Sequence, residues 1–318
     1  MIKNSWLVVC SVMTFLIWGQ QAYGQDETRS VSIEHAQGKL SLSETPSRVV
    51  TFDLASLDTL DALNVNVLAL PTKSVHDRLA KYSGKPYVNA GSLFEPDYET
   101  VAALEPDLVI VATRSSPSFK MLNSIAPTID LSVWGEGFIE QFKDRSSTLA
   151  KIFARQSLYE KRLKGIEHKI AQVRSFSKDA GKALIILTNG GKISAYGPGS
   201  RFGWLHYELG FSSVLTSDDP EQASNIGTHG DPVSFEFIHE ANPAWLFVVD
   251  RDAAVGSARG AARALLDNPI IKRTQAYQSG QIVYLNPMNW YVIAAGLNAV
   301  DESVTEVLEA LQKSVSQK

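Results

Sequence analysis

The chain of 318 residues contains a single cysteine, Cys10, which lies in an apolar run near the start of the sequence. A disulfide framework and a thiolate zinc site are therefore excluded. No two of the six histidines have the spacing of metal ligands, so an all-protein zinc centre is not expected. The sequence also shows no Ser/His/Asp set, no paired acids and no phosphate-binding loop at convincing spacing. An enzyme is therefore a weaker interpretation of the sequence than a binding protein.

An excess of basic charge is missing as well. The 30 Lys and Arg residues face 34 Asp and Glu residues, a formal net charge of −4, so nothing indicates nucleic-acid binding. Apolar residues make up 44% of the chain and charged residues 20%, which is ordinary for a globular protein. The length leaves room for two domains, each with its own core.

The first residues have the pattern of a secretory signal. Lys3 precedes an apolar run over Trp6–Trp18, and Ala22–Gly24 offers small residues for cleavage, so we expect a signal peptide over residues 1–24. The run is too short for a membrane anchor, which needs roughly 20 apolar residues. Apolar residues continue past Cys10, which argues against lipid attachment there. The sequence thus predicts an exported protein of the periplasm.

One frame of residues occurs twice with identical spacing. Its copies are Glu99, Pro106, Arg114 and Glu236, Pro243, Arg251. In each copy a short amphipathic stretch precedes the proline, and a run typical of a buried parallel strand follows it. Ligands of open α/β sheets bind outside the carboxyl ends of the strands. The repeat therefore predicts two halves that each place one arginine beside a shared anionic ligand.

Strand and helix patterns alternate along most of the chain, which is typical of an α/β fold with a largely parallel sheet. A hairpin is predicted over residues 31–42. Between about 139 and 176 the apolar residues instead recur near the helical period. Two interpretations stay open for that stretch: two packed helices with a break near Gln156, or one helical spine that connects two lobes. A final helix is predicted from about Asn289 to Lys313.

A glycine-rich turn, Gly197 to Gly203, follows one predicted strand and opens a helix. Its backbone N–H groups would suit an anion, although a plain turn explains the pattern at least as well. The glycine spacing and Pro198 depart from the dinucleotide fingerprint. Arg201, within the turn, would be a third arginine at the carboxyl edge of a sheet.

Five further residues have two interpretations each. His229 lies in an irregular, glycine-containing stretch and is either an ordinary surface histidine or a metal ligand. Trp290 and Tyr291 follow the last predicted strand and either pack the C-terminal helix or face a ligand. A deprotonated Tyr291 would be a hard oxygen donor for Fe(III). Glu99 and Glu236 either stabilise helix dipoles or offer one docking carboxylate per half to a symmetric partner.

These motifs resemble the periplasmic substrate-binding proteins of iron-uptake ABC importers, the helical-backbone class, and most of all the group that binds ferric catecholate siderophores. The resemblance covers nearly all of the chain beyond the signal. It is carried by ProSerArgValVal (46–50), GluProAspLeuValIle (105–110), ProGlySerArgPheGly (198–203), ThrHisGly (228–230) and TrpTyr (290–291). It implies an α/β fold of two Rossmann-like lobes with mainly parallel sheets, joined by a single long helix. The lobes would span residues 25–138 and 179–318, with the connecting helix over 139–178.

The resemblance also implies a siderophore pocket in the cleft between the lobes. Arg114, Arg201 and Arg251 match its basic residues, and three arginines would offset the −3 charge of a ferric tris-catecholate. Trp204 and Trp290 would offer faces to catechol rings, with packing an equal alternative.

The remaining implied roles concern iron and the membrane partner. His229 and Tyr291 match the pair that completes iron coordination when a siderophore supplies only four donors. Glu99 and Glu236 match the carboxylates that dock onto an inner-membrane ABC permease dimer. We therefore expect a monomeric carrier, not an enzyme, without an intrinsic cofactor and with Fe(III) bound only as the siderophore complex. A haem or corrinoid (vitamin B12-type) carrier of the same fold is the alternative, although neither ligand needs three arginines.

Overall fold

The computed structural model describes residues 30–133, 137–215, 230–257 and 260–316. The chain begins with a hairpin of two antiparallel strands, β1 (Val31–His35) and β2 (Gly38–Leu42), which confirms the hairpin predicted over residues 31–42. Among the described residues, none of the helices combines the length and the apolar character needed to cross a membrane.

The N-terminal sheet has five parallel strands in the order β5-β4-β3-β6-β7. Its strands are β3 (Val49–Thr51), β4 (Ala69–Leu70), β5 (Val88–Asn89), β6 (Leu108–Val111) and β7 (Thr128–Asp130). The α-helices in this part are α1 (Leu54–Ala62), α2 (Tyr98–Ala103) and α3 (Phe119–Asn123). The central strands β3 and β6 are buried along their whole length, as expected for a parallel sheet covered on both faces.

The C-terminal sheet is mixed. Its strands are β8 (Lys182–Asn189), β9 (Lys192–Tyr196), β10 (Ser212–Ser213), β11 (Asp231–Val233), β12 (Trp245–Asp250) and β13 (Ile282–Tyr284). Strands β8, β12 and β13 are parallel, whereas β9 runs antiparallel to β8 and to β11. Gly190 and Gly191, with φ of 54° and 77°, allow the tight turn between β8 and β9. The α/β class is confirmed, and the antiparallel strand is an addition to the predicted alternation.

Among the described residues of this half, five short helices accompany the second sheet. They are α6 (Trp204–Tyr207), α7 (Phe235–Ala241), α8 (Arg251–Ala254), α9 (Ala261–Leu266) and α10 (Gln275–Gln278).

The segment expected to form one connecting helix contains two, α4 (Phe138–Ile152) and α5 (Gln156–Ser177). They are separated at Ala154, whose φ of 54° is incompatible with a right-handed helix. Helix α4 packs against α1 and β1 beside the N-terminal sheet, so the connection to the C-terminal sheet is made by α5 alone. The single helix over 139–178 is thus corrected to two, while the lobe boundaries themselves stay a prediction.

The C-terminal helix α11 (Leu297–Ser316) packs against both α1 and α5. Its first turn is capped by the buried carboxylate of Asp58 on α1, whose Oδ2 accepts the backbone N–H groups of Asn298 at 2.8 Å and Ala299 at 3.0 Å. The main hydrophobic core includes residues of both sheets and of α1, α4, α5 and α11. Helix α11 therefore ties the two sheets together through a shared core.

Candidate functional site

Three arginines from separate parts of the chain meet at Tyr291. The backbone oxygen of Tyr291 accepts hydrogen bonds from Nη2 of Arg114 at 3.3 Å and from Nη2 of Arg201 at 3.0 Å. Its phenol oxygen accepts a hydrogen bond from Nε of Arg251 at 3.0 Å. The guanidinium carbons lie 5.6, 4.6 and 5.7 Å from the centroid of the Tyr291 ring, in the order Arg114, Arg201, Arg251. The structure thus brings together the three arginines singled out in the sequence.

Two of these arginines follow directly from strand ends. Arg114 comes after β6, beyond Thr113, whose φ of 48° turns the chain and whose N–H donates to Ser132 Oγ at 2.6 Å. Arg251 begins α8 immediately after β12, and its Nη1 also donates to Oδ1 of Asn189 at the end of β8, 3.1 Å away. Because β8 and β12 are parallel neighbours, this second bond holds Arg251 at the carboxyl edge of the sheet.

Arg201 is held by the glycine-rich turn. Ser200 Oγ donates to the carbonyl of Gly197 at 2.6 Å, and the N–H of Gly203 donates to the carbonyl of Ser200 at 2.9 Å. A Cβ atom at residue 203 would lie 2.7 Å from the carbonyl carbon of Pro198, so only glycine fits there. The turn therefore serves to aim the Arg201 side chain at Tyr291.

The electrostatics of this cluster favour an anion. Within the described residues, none of the three arginines has a carboxylate within salt-bridge distance. Burial lowers the pKa of Arg201, and the nearby charge of Arg114 lowers it further. Burial raises the pKa of the Tyr291 phenol, but the hydrogen bond from Arg251 and the three positive charges outweigh it, so the net shift is downward. Within the part of the chain that the structure describes, the site thus combines three cations that have no carboxylate partner with a phenol whose pKa is lowered.

Trp204 and Trp290 lie behind this cluster rather than on its open side. Trp204 is 4% exposed and Trp290 is 1% exposed. Their rings stack on each other with centroids 4.5 Å apart, and Phe138 stacks on Trp204 at 5.1 Å. Because core side chains cover these ring faces, the structure favours the packing alternative and does not support the prediction that they stack on catechol rings.

His229, the other predicted iron ligand, lies outside the described residues. Its neighbour Gly230 is described and has φ of 70°. A Cβ at this position would lie 2.6 Å from the ring of Tyr196, so Gly230 packs against that ring. Burial raises the pKa of Tyr196, and the charges of Arg201, Arg251 and Tyr291 also act on it. Gly230 therefore contacts Tyr196, a phenol on which the charges of the arginine cluster act.

Glu99 and Glu236 lie in the first turns of α2 and α7 and are exposed to solvent. The helices have side-chain N-caps, with Asp97 accepting the N–H of Thr100 at 3.0 Å and Ser234 accepting that of Phe237 at 3.2 Å. The backbone N–H of Glu236 itself and the Ser234 hydroxyl lower the pKa of the Glu236 carboxyl. Each helix leads into a parallel strand that an arginine follows, an order that predicts each carboxylate at the carboxyl edge of its own sheet.

The structure also contains a polar cluster that the sequence pattern did not indicate. Arg78, Asn289, Glu302 and Glu306 lie around the turn that carries Tyr291. In the sequence, Glu302 and Glu306 form only an i, i+4 pair within a predicted helix, and such a pair by itself indicates a helix face exposed to solvent. Among the described residues, no group of three or more His, Cys, Asp or Glu side chains is placed to hold a metal ion.

Comparison with known proteins places the chain among binding proteins. A family model described as a periplasmic binding protein matches residues 49–288. The chain is 37% identical over 288 residues to the petrobactin-binding protein YclQ of Bacillus subtilis, which covers 89% of each chain. It is 28% identical over 316 residues to the ferric-anguibactin-binding protein FatB of Vibrio anguillarum, with 96% of each chain covered.

Solved structures show the same relationship. The crystal structure of YclQ superposes with a TM-score of 0.82 and 35% identity, covering 89% of this chain and 99% of that one. The periplasmic catecholate-siderophore binding protein VctP of Vibrio cholerae superposes with a TM-score of 0.79 and 32% identity, covering 87% and 99%.

Proposed function

The chain belongs to the family of periplasmic binding proteins, and from that premise we propose that it binds a ferric siderophore of the catecholate type and delivers it to an ABC importer. The observation that carries this proposal is the convergence of Arg114, Arg201 and Arg251 on one tyrosine without a carboxylate partner among the described residues. Its relatives are carriers rather than enzymes, and the two named above bind petrobactin and ferric anguibactin. None of the relatives supports the haem or corrinoid alternative.

The charge of the ligand suits the three arginines. A ferric tris-catecholate carries a charge of −3, and charge-assisted hydrogen bonds from guanidinium groups to phenolate oxygens are among the stronger polar contacts in proteins. The bonds to Tyr291 hold the arginine side chains in place before the ligand arrives. Little side-chain entropy is then lost on binding, which favours affinity.

Tyr291 and His229 are proposed to complete the coordination of the iron cargo when a siderophore supplies only four donors. The lowered pKa of the Tyr291 phenol supports this role, because the phenolate is the form that binds Fe(III). His229 lies outside the described residues, and its role is proposed from the family resemblance of ThrHisGly (228–230).

The remaining features concern transport. Glu99 and Glu236 are proposed to dock onto basic sites of a permease dimer, supported by their exposure and by the equivalent positions of α2 and α7. We further propose that the carrier acts as a monomer and that residues 1–24 are a signal peptide that directs it to the periplasm.

Titration of tryptophan fluorescence tests the ligand. Ferric tris-catecholates and bis-catecholates, ferric hydroxamates, ferric citrate, haem and a corrinoid should each be added to the protein. We expect the catecholates to bind most tightly, and tight binding by haem or the corrinoid alone would refute the proposal.

The role of Tyr291 is tested by Tyr291→Phe. We expect this change to weaken a tetradentate bis-catecholate complex by roughly tenfold or more, while a hexadentate tris-catecholate loses much less. Tyr207→Phe is the control, since Tyr207 is 53% exposed on α6. Equal losses for both complexes would contradict iron coordination by Tyr291.

The docking role is tested by the double change Glu99→Gln and Glu236→Gln. We expect ligand affinity to stay unchanged, while stimulation of the permease's ATPase by the loaded carrier falls. Glu160→Gln, at an exposed position on α5, is the control. Unchanged stimulation would show that these carboxylates do not dock.

A further inference from the structure

Tyr291 lies in a single π-helical turn, Met288–Val292. Its closing hydrogen bond runs from the N–H of Ile293 to the carbonyl of Met288, at 3.1 Å. Turns of this type are rare and intrinsically less favourable than α-helical ones, and they occur frequently at functional sites. The position of the Tyr291 side chain therefore depends on what holds this turn from outside.

One support comes from helix α11. Glu306 accepts the backbone N–H of Asn286 at 2.9 Å and the indole N–H of Trp290 at 3.2 Å. Burial raises the pKa of Glu306 to about 7, and the neighbouring acids Glu302 and Glu309 also raise it. These bonds fix the start and the buried side of the turn against its own half of the molecule.

A second support comes from the other half of the chain. The Asn289 side chain, 3% exposed, donates through Nδ2 to Oε2 of Glu302 at 2.8 Å and accepts through Oδ1 from Nη2 of Arg78 at 3.4 Å. The same Nη2 lies 2.8 Å from Oδ1 of the buried Asp58 on α1, and Nη1 lies 3.2 Å from Oε1 of Glu302. Arg78 thus links α1, α11 and the turn that carries Tyr291.

The guanidinium fork suits this task. Arg78 reaches two carboxylates and an amide through two nitrogens of one rigid plane, which a lysine ammonium cannot reproduce. Its partner Asp58 also caps α11 through Asn298 and Ala299, so the anchor point itself cannot shift easily. From the opposite side, Arg114 and Arg201 hold the backbone oxygen of Tyr291.

We propose that Arg78 is a positioning residue for the Tyr291 phenol, acting through Asn289 on the π-helical turn, and that it sets the affinity for tetradentate ferric complexes. This inference rests on the proposed function, because it concerns the phenol as an iron donor. Arg78 itself does not touch the ligand in this scheme. It ties the donor to α1 beside the N-terminal sheet, so the phenol is held relative to both halves that enclose the ligand.

A double-mutant cycle tests the proposal, with Arg78→Met, Tyr291→Phe and the double variant titrated against bis-catecholate and tris-catecholate Fe(III) complexes. We expect Arg78→Met to weaken the bis-catecholate complex by roughly tenfold and the tris-catecholate complex by less than about threefold. In the Tyr291→Phe background we expect no further loss. The visible charge-transfer band of the bis-catecholate complex should shift in Arg78→Met towards that of Tyr291→Phe.

The matched control is Arg162→Met. Arg162 also bonds to α11, through Asn298 at 2.8 Å and Asp301 at 3.6 Å, but these residues lie outside the turn. It should leave both affinities and the band unchanged. Should Arg78→Met fail to fold, Asn289→Ala removes the same link while Arg78 keeps Asp58, and it should give the same loss.

The outcomes separate the two proposals. If Tyr291→Phe alone leaves the bis-catecholate affinity unchanged, the iron-donor role fails. If Tyr291→Phe weakens that complex but Arg78→Met and Asn289→Ala do not, the positioning role is overturned. Losses of Arg78→Met and Tyr291→Phe that simply add would overturn it as well.

Discussion

Replacing Arg201 by methionine should separate ligand affinity from stability. The three guanidinium groups lie 4.6 to 5.7 Å from one ring centroid, and among the described residues they have no carboxylate partner. Burial and the charge of Arg114 lower the pKa of Arg201, which shows that its charge is unfavourable in the unliganded fold. An anionic ligand would relieve this repulsion. The positive charge of Arg201 therefore lowers the stability of the unliganded protein and favours binding of an anionic ligand.

The expected size follows from the geometry. Arg114 and Arg201 donate to the same oxygen, so their guanidinium carbons lie within about 9 Å, and at an effective dielectric constant of about 20 this pair of like charges costs about 1.8 kcal/mol or more before salt screening. Against this relief stands one lost hydrogen bond to the Tyr291 carbonyl, about 1 kcal/mol, and that carbonyl still accepts from Arg114. The relief is at least as large as the loss, so the free energy of unfolding of Arg201→Met should not fall by more than about 1 kcal/mol. Loss of a charge-assisted bond to the ligand, about 1.5–3 kcal/mol, should weaken binding by roughly 10- to 150-fold.

Two measurements check this trade-off. Urea denaturation of the unliganded protein gives the stability, and fluorescence titration with a −3 ferric tris-catecholate and a neutral ferric hydroxamate gives the affinities. Arg155→Met, at an exposed position that precedes α5, is the control and should change neither. A stability loss above about 3 kcal/mol would place Arg201 among structural residues. Equal losses for the charged and the neutral complex would refute the electrostatic argument.

Three stability predictions, each checked by urea denaturation, concern the scaffold. Gly296→Ala would place a Cβ 2.7 Å from that of the buried Asp58 and should cost about 1–3 kcal/mol. Arg145→Met removes the ion-pair partner of Asp53 and should cost about 3–5 kcal/mol. Burial alone would raise the pKa of Asp53, but the Arg145 charge holds it below its usual value of 3.8. The stabilisation by this ion pair should therefore be present above pH 4 and lost as the pH falls further, and Arg145→Met should not show this loss. Burial instead raises the pKa of Glu306 from 4.5 to about 7. The free energy of unfolding of the wild type should therefore fall as the pH rises from 4.5 to about 7, and Glu306→Gln should remove this dependence on pH. The same pH dependence in the variant would refute the assignment to Glu306.

The strands and the repeat could be predicted because local pattern determines them. Apolar runs such as Leu108–Val111 and Trp245–Asp250 are buried whatever their neighbours, and proline and N-cap residues mark where the helices before them begin and end. The direction of β9 does not follow from periodicity, but the two-residue Gly190-Gly191 connection to β8 is a hairpin signal that indicates an antiparallel pair. A break near Gln156 was one of the two interpretations of the sequence, and the structure has it. Its exact place at Ala154 could not be predicted, because alanine is the best helix former and adopts φ of 54° here only in the context of the tertiary fold.

The site was predictable to the extent that strand ends determine it. Arg114 and Arg251 each follow a parallel strand, so topology places each of them at the carboxyl edge of its own sheet. Burial of Trp290 did not follow, because an aromatic residue after a strand can face either the core or the cleft. The contact of Arg78 with Asn289 joins residues far apart in the chain without any periodic signal. Such polar networks become visible only once helices are packed.

The repeated frame explains why cargo and docking residues should share one face of the molecule. In each copy the glutamate begins a helix that runs away from the carboxyl edge of the sheet, and the following strand runs back to that edge before the arginine. A helix of six residues rises about 9 Å and a strand of four about 13 Å, so the two paths nearly cancel in the first copy. Glu99 and Arg114 therefore return to the same edge. In the second copy a helix of seven residues rises about 10 Å and a strand of six about 20 Å, so Glu236 and Arg251 share the order of elements but not this cancellation. A permease that docks on the two carboxylates as proposed would then face the arginines that are proposed to hold the ligand.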